Sequence, residues 1–324
     1  MAINTLGRPD RAAATLKNRL KPGDWIFTAL TGAAALIVVA VIVGMFYELT
    51  DNAWPAIRAN GWEFLWSTNW DPPKQVFGAG AFIIGTLITS IFALIFATII
   101  AVLVALFLVE IAPGYISRPV SYLVELLAAI PSVVYGLWGI FVMGVFIRDH
   151  SGPFIERYFS WIPFVDGTPL ITGLFSACLI LTIMILPTVM AVSRDVIAAV
   201  PGSQREGIVA LGATRWEMIR IATLPYARSG ILGAAILGLA RAVGETLAVT
   251  LVIGNSVKVP DNIFAPAYTM ASVIANQFPE ATDLHRAALI EVALVLLAIT
   301  FVINVIARIL VWRVTGGQRV VVQE

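Results

Sequence analysis

The sequence predicts an all-α, polytopic membrane protein with six transmembrane helices, and three observations support this fold class. Hydrophobic residues make up 59% of the 324 residues and charged residues only 13%, whereas soluble globular domains carry about 25% charged residues. The mean hydropathy is +0.89. Several uncharged apolar segments also exceed the roughly 20 residues that a helix needs to cross the hydrocarbon core of a bilayer.

The spans are defined by where charge is absent. Residues 25–47 and 75–109 contain no charged side chain, and the Trp-rich residues 49–77 are predicted to form an external segment. The run 75–109 is longer than a bilayer requires, so its helix should tilt or project from the membrane. The remaining four spans are predicted at about 119–147, 169–192, 229–254 and 286–311. Pro131 should kink the third span.

The distribution of basic residues sets the orientation. Six spans put both termini on one side of the membrane, and most of the 21 lysine and arginine residues fall on that side. The positive-inside rule therefore predicts that both termini are cytoplasmic. The predicted organisation is a cytoplasmic N-terminal tail (1–24), a six-helix transmembrane domain (25–315) with a cytoplasmic loop at about 193–228, and a cytoplasmic C-terminal tail (316–324).

The cytoplasmic loop carries two helix-start patterns. Ser203 precedes Glu206 by three residues and Thr214 precedes Glu217 by three, which is the spacing of a capping box. Gly212 lies between the two pairs, where a residue that tolerates a left-handed backbone is needed to end a helix. The pattern predicts two short helices joined by a sharp turn.

This loop is predicted to end at Leu224-Pro225 and to dock a partner. Its apolar contact area would come from Trp216, Met218, Ile219 and Ile221. Charge at its rim would come from Arg205, Arg215 and Arg220. Tryptophan is a frequent interface anchor. The sequence lacks the phosphate-binding pattern G-x-x-x-x-G-K-[ST], so any nucleotide that drives a movement of this protein would be bound by a partner. The alternative is an ordinary connector that lies on the membrane surface.

Two charged residues interrupt the fifth span. Arg241 and Glu245 lie roughly 18 and 24 Å along a helix that starts at Ser229, where an arginine costs about 2.5–3.5 kcal/mol. Because residues four apart share a helix face, the two side chains are expected to pair. Arg241 could then bind a phosphate-like oxyanion, with hydroxyls from Thr246 and Thr250 nearby. The alternative is an ion pair that only locks the helix.

Other polar and small residues carry weaker signals. Glu125, in the third span, is a candidate for a second polar site on the substrate pathway or for a pair with a neighbouring helix. A small-residue face suited to close contact with a second membrane subunit is formed by Gly230, Gly233, Ala234 and Gly238. No nucleophile–base arrangement indicates a catalytic site, no basic aromatic groove indicates nucleic acid, and His150 and His285 lack the spacing of metal ligands.

Two sets of residues resemble a known family. The EAA-loop signature of ABC-importer permeases is matched by Glu206, Gly212, Leu224 and Pro225. Residues 241–249 (RAVGETLAV) and 130–136 (IPSVVYG) are similar to the PstC family of phosphate-importer permeases. The resemblance covers roughly residues 25–315. It implies the type I ABC-importer permease fold in a bacterial cytoplasmic (inner) membrane.

The resemblance also implies a division of roles among subunits. The chain would be a permease and not an enzyme, with no cofactor of its own, because a PstB-like ATPase dimer in the cytoplasm would bind ATP and magnesium. A PstA-like sister permease would complete the pathway, and a PstS-like protein would deliver inorganic phosphate from outside. Arg241 and Glu245 match charged residues that the family associates with transport. The alternatives are a permease for another oxyanion, such as sulfate or molybdate, and an ion-coupled secondary transporter.

Overall fold

The computed structural model describes residues 22–315, and these form helices and connecting segments without a β-strand. The α-helices are α1 (Pro22–Asn60), α2 (Gly80–Leu106), α3 (Gly114–Ala128), α4 (Ser132–Trp138), α5 (Gly152–Phe159), α6 (Leu174–Ala198), α7 (Gly202–Ala210), α8 (Arg215–Met218), α9 (Leu224–Gly244), α10 (Leu247–Val252), α11 (Met270–Gln277) and α12 (Asp283–Thr315). Short 3₁₀ turns cover Gly61–Leu65, Pro72–Lys74 and Phe278–Glu280. Turns of π-helix cover Phe107–Ile111, Gly139–Gly144, Ile147–Ser151 and Ile219–Thr223. The all-α prediction is confirmed.

The chain divides within α1 into two units, one ending at Glu48 and the other beginning at Leu49. The first unit contains the N-terminal part of α1, in which residues 25–47 carry no charge, and the second contains all the helices that follow. The predicted tails, 1–24 and 316–324, lie outside the described residues, except that α1 begins at Pro22.

Six segments of the described chain are long and apolar enough to span a membrane, as predicted. They are Trp25–Leu65, Gly80–Ile111, Ser132–Phe159, Leu174–Ala198, Arg215–Gly244 and Asp283–Arg313. The helix of the first span continues to Asn60, into the segment predicted to be external. Charged residues such as Asp51 and Arg58 limit how far a helix enters lipid, but they do not end the helix itself.

The third predicted span is interrupted at Pro131 rather than kinked. Pro131 has an extended backbone (φ −59°, ψ 140°), and α4 begins at the next residue. Proline lacks an N–H donor and disfavours the α conformation in the residue before it, so α3 stops and a new helix starts. Glu125 therefore lies on α3, outside the spanning segment Ser132–Phe159.

Helix α6 is the centre of the second unit and packs most extensively against α2. The buried face of α2 carries an alanine at every fourth position: Ala93, Ala97, Ala101 and Ala105 are all fully buried. Small side chains let two helices approach closely, and this packing holds helices together in lipid. Helices α4, α9 and α10 also contact α6, so this helix positions the polar residues of the fifth predicted span.

The small-residue face of α9 packs against α6 of the same chain. A Cβ atom at Gly238 would lie 2.6 Å from Val189 Cγ2, and one at Gly230 would lie 2.4 Å from Val196 Cγ1. Ala234, between them on the same face, is fully buried. Gly230, Ala234 and Gly238 therefore seat α9 on α6 of the same chain instead of facing a second permease. Gly233 has no atom within 4 Å of an added Cβ, so its contact with a second permease stays a prediction.

Candidate functional site

The fifth predicted span is broken at its polar centre. Helix α9 ends at Gly244, Glu245 has an extended backbone (φ −71°, ψ 127°), and α10 begins at Leu247. The predicted single helix over 229–254 is therefore wrong. In a membrane, non-helical backbone is tolerated only where it is buried in protein or lines a cavity, so the break indicates a specialised position in the fold.

Arg241 lies in the last turn of α9 and contacts α6. Its Nη1 donates a hydrogen bond to the Thr188 hydroxyl at 3.3 Å, and its side chain is only partly buried. Sequence reasoning missed Thr188, for which the only local signal is its position directly after Pro187 in an apolar helix.

Glu245 does not pair with Arg241, so that prediction is wrong. Its carboxylate accepts a hydrogen bond from the backbone N–H of Ala248 at 3.2 Å, at the start of α10. Residues four apart share a face only while the helix continues, and the helix ends between these two residues. Among the described residues, the ion pairs within 4.0 Å include none made by Arg241.

The two predicted threonines lie in the break and in α10. Thr246 Oγ1 donates to the Gly244 carbonyl at 3.2 Å, and Thr250 Oγ1 donates to the Thr246 carbonyl at 2.7 Å. A hydroxyl has one proton to donate, so in this geometry neither threonine can also donate to an anion. The Thr188 hydroxyl, in contrast, accepts from Arg241 and keeps its proton for another acceptor.

Glu125 takes part in a separate cluster. Arg194 of α6 donates to its carboxylate at 3.1 Å and to the carboxylate of Asp195 at 2.9 Å. This contact joins α3 to the end of α6. The structure brings Glu125 together with Arg194 rather than with Arg241.

The loop between α6 and α9 contains both predicted short helices, but only one predicted cap. Thr214 and Glu217 form a capping box: each residue's side chain accepts from the other's backbone N–H. The expected Ser203–Glu206 box is wrong, because α7 begins at Gly202 with Pro201 before it, which places Ser203 inside the helix. Between the helices, Gly212 has the left-handed φ of +88° that was predicted.

The loop does not end at Leu224-Pro225 as predicted. Helix α8, the π-helical turn Ile219–Thr223 and α9 follow one another without a break. Pro225 lies directly after the π-helical turn, so the helix continues through a position whose residue cannot donate a backbone hydrogen bond. The segment Arg215–Gly244 is therefore one continuous helical rod that joins the loop to Arg241.

The loop exposes several large apolar side chains. Leu211 is 86% exposed, Trp216 64% and Ile221 58%. Two residues predicted to belong to this surface, Met218 and Ile219, are buried instead. We call Leu211, Trp216 and Ile221 the loop patch, and exposed Glu206 lies on the neighbouring helix α7.

The sequence matches the family of binding-protein-dependent transport system inner membrane components over residues 99–316. A phosphate transport system permease protein PstC of Pasteurella multocida is 41% identical over 90% of this chain and 92% of its own length. A PstC 2 protein of Mycobacterium tuberculosis is 36% identical over 98% of this chain and 99% of its own length.

Solved structures with the same fold are more distant in sequence. A chain of a bacterial ABC transporter involved in alginate import has a TM-score of 0.56 at 18% identity, covering 90% of this chain and 99% of that one. A chain of the inward-facing methionine transporter MetNI has a TM-score of 0.53 at 18% identity, over 76% and 99% of the two chains. The six spans and these matches show that the chain is a multi-pass inner membrane protein. Because the relatives match it over 90% or more of its length, the chain belongs to the binding-protein-dependent transport system inner membrane components and, among them, to the PstC permeases.

Proposed function

We propose that this chain is a channel-forming permease subunit of an ATP-driven importer of inorganic phosphate. The observation that carries the proposal is the 41% identity, over 90% of the chain, to a permease named for phosphate transport. The partners are those of an importer of this kind: a PstA-like sister permease, a PstB-like ATPase dimer that binds ATP and magnesium, and a PstS-like phosphate-binding protein.

Arg241 is proposed as the anion-binding group on the pathway. A charge inside a membrane span is costly and marks a functional position by default. Its guanidinium carries five N–H donors, and one of them goes to Thr188. Because the described residues provide it with no ion-pair partner, the free donors and the positive charge suit a tetrahedral oxyanion. Thr188 would hold the guanidinium in place and offer its own proton to the same anion.

Glu245 is proposed to act on the backbone and on the local field. By accepting from Ala248 N–H it fixes the start of α10 directly after the break. Its negative charge lies on the same short segment as the anion site and would weaken retention of phosphate. A transport site needs this property, because an ion that binds too tightly is not released.

The loop patch is proposed as the seat of the ATPase, on the cytoplasmic side together with both termini. Exposed apolar residues next to charged ones are typical of protein interfaces, and the continuous rod from Arg215 to Gly244 would carry a movement at Trp216 into the membrane. The external partner would bind at the opposite end, where the N-terminal ends of α2 and α12 lie together in one buried cluster.

The test is transport by the complete complex in proteoliposomes. The chain is reconstituted with its sister permease and ATPase, the binding protein is added outside, and uptake of radioactive phosphate is measured with and without ATP. We expect ATP-dependent phosphate uptake that excess sulfate or molybdate does not abolish. Uptake of sulfate or molybdate instead would show another oxyanion importer, and phosphate uptake driven by a proton gradient without ATP would show a secondary transporter.

The variant Arg241→Gln separates the pathway role from a structural one. Lost uptake with the complex intact and ATPase activity preserved is the expected result. Loss of the assembled complex would instead support a helix-locking role, and unchanged uptake would exclude Arg241 from the pathway.

A further inference from the structure

A buried carboxylate lies where the loop meets the spans. Glu110 follows α2 in the π-helical turn Phe107–Ile111, and only 6% of its side chain is exposed. Its Oε1 lies 3.2 Å from Arg205 Nη2 and accepts a hydrogen bond from the Thr223 hydroxyl, also at 3.2 Å. Thr223 is fully buried and ends the π-helical turn that leads into α9.

Arg205 connects this carboxylate to the loop. It lies on α7, and its Nη2 also donates to the Ile197 carbonyl near the end of α6 at 2.7 Å. The expectation that Arg205 supplies charge at the rim of the docking surface is therefore wrong, because only 23% of its side chain is exposed and it points inward. Through Arg205 and Thr223, Glu110 joins α7 to the ends of α2 and α6 and to the start of α9.

Two features distinguish this cluster from an ordinary stabilising contact. Arg205 Nε is buried and has no hydrogen-bond partner among the described residues, so the pair is incompletely satisfied where full satisfaction is the rule. In addition, both Glu110 and Thr223 lie in π-helical turns, which are rare and often mark functional positions. Because the hydrogen bonds of this cluster are incomplete in the structure, a different arrangement of the same side chains in another conformation of the protein can satisfy them better.

We propose that Glu110 and Arg205 are positioning residues that transmit movement of the loop helix α7 to the membrane spans. This inference rests on the proposed function, because it assumes that an ATPase moves the loop. A displacement of α7 moves Arg205, and the ion pair transmits this movement to Glu110. Glu110 lies at the end of α2 and contacts Thr223, so the movement reaches both α2 and the start of α9, the helix that carries Arg241. Separating Arg205 from Glu110 would leave an uncompensated charge in a buried site, which is costly. The loop helix α7 therefore does not move away while Glu110 stays in place.

The test compares three variants in the reconstituted complex: Arg205→Lys, Arg205→Gln, and the double variant Arg205→Gln with Glu110→Gln. The double variant removes both charges, so it avoids the unpaired buried charge that destabilises a single variant. We measure the amount of assembled complex, ATP hydrolysis and phosphate uptake per ATP hydrolysed. A matched control is Arg118→Gln, which removes an exposed positive charge from α3.

The expected result is that the double variant assembles and hydrolyses ATP like the wild type, while uptake per ATP falls about tenfold. Arg205→Lys should keep part of the coupling because it keeps the charge, and Arg118→Gln should behave like the wild type. Unchanged uptake per ATP in the double variant would overturn the proposal, and so would loss of the double variant's complex, since the pair would then serve assembly alone. A wild-type complex that takes up no phosphate would contradict the proposed function instead, and ATP hydrolysis stimulated by the binding protein would still report the coupling.

Discussion

The Arg241 guanidinium donates a hydrogen bond to the Thr188 hydroxyl at 3.3 Å and so links α9 to α6 beside the break at Gly244. This contact orients the guanidinium, whose positive charge has no ion-pair partner among the described residues. Its consequence is that the proposed anion site needs a group on α6 as well as the Arg-Ala-x-Gly-Glu-Thr segment.

The variant Thr188→Val tests this contact. Valine has nearly the same shape but cannot accept from Arg241, and a hydrogen bond to a charged group contributes about 1.5–3 kcal/mol. We expect phosphate uptake to fall about tenfold or more while the complex still assembles. Thr188→Ser is the control, since it keeps the hydroxyl and should retain most uptake. Equal uptake by the valine and serine variants would contradict a role for the hydroxyl.

Glu245 can be tested by separating its charge from its hydrogen bond. Glu245→Gln keeps an oxygen that accepts from Ala248 N–H, whereas Glu245→Ala removes it, and loss of a helix-start acceptor costs about 0.5–2 kcal/mol. We expect the alanine variant to unfold at a lower temperature than the glutamine variant, which should match the wild type. If glutamine were as destabilising as alanine, the charge itself would hold the fold, as an ion pair with Arg241 requires.

The broad organisation could be predicted from the sequence because it depends on hydropathy over long windows. Six spans, the loop with two short helices and the left-handed turn at Gly212 each follow from a local pattern that the surroundings do not alter. Thr214 and Glu217 form their capping box for the same reason: all of its atoms belong to one turn of chain.

The site could not be predicted to the same extent because its contacts depend on where helices stop. Arg241 and Glu245 would share a face only in an unbroken helix, and no proline marks the end at Gly244. The partners Thr188 and Glu110 are distant in sequence from Arg241 and Arg205, so only the packing of α6 and α2 reveals them. The sequence alone also does not distinguish Arg205, which points inward, from the other arginines of the loop, because the difference depends on this packing.

The loop patch can be tested through binding of the ATPase. Trp216 is 64% exposed and would be the anchor of this interface, where truncation of a central tryptophan costs about 2 kcal/mol or more. We expect Trp216→Ala to reduce co-purification of the ATPase subunit by at least about tenfold. Trp62→Ala is the matched control, because Trp62 is also exposed but lies in the turn after α1. Equal retention of the ATPase by the two variants would exclude the loop patch from the interface.

Close packing between α2 and the segment before α11 makes a last prediction about stability. A Cβ atom at Gly85 would lie 2.1 Å from the Tyr268 carbonyl oxygen, and backbone on both sides prevents a small adjustment. Overpacking of this kind costs about 1–3 kcal/mol, so Gly85→Ala should lower the unfolding temperature of the purified chain in detergent. Gly233→Ala is the control, because Gly233 is also helical and has no atom within 4 Å of the added Cβ, and it should leave the temperature unchanged or raise it slightly. Equal unfolding temperatures for the two variants would contradict the close contact between Gly85 and Tyr268.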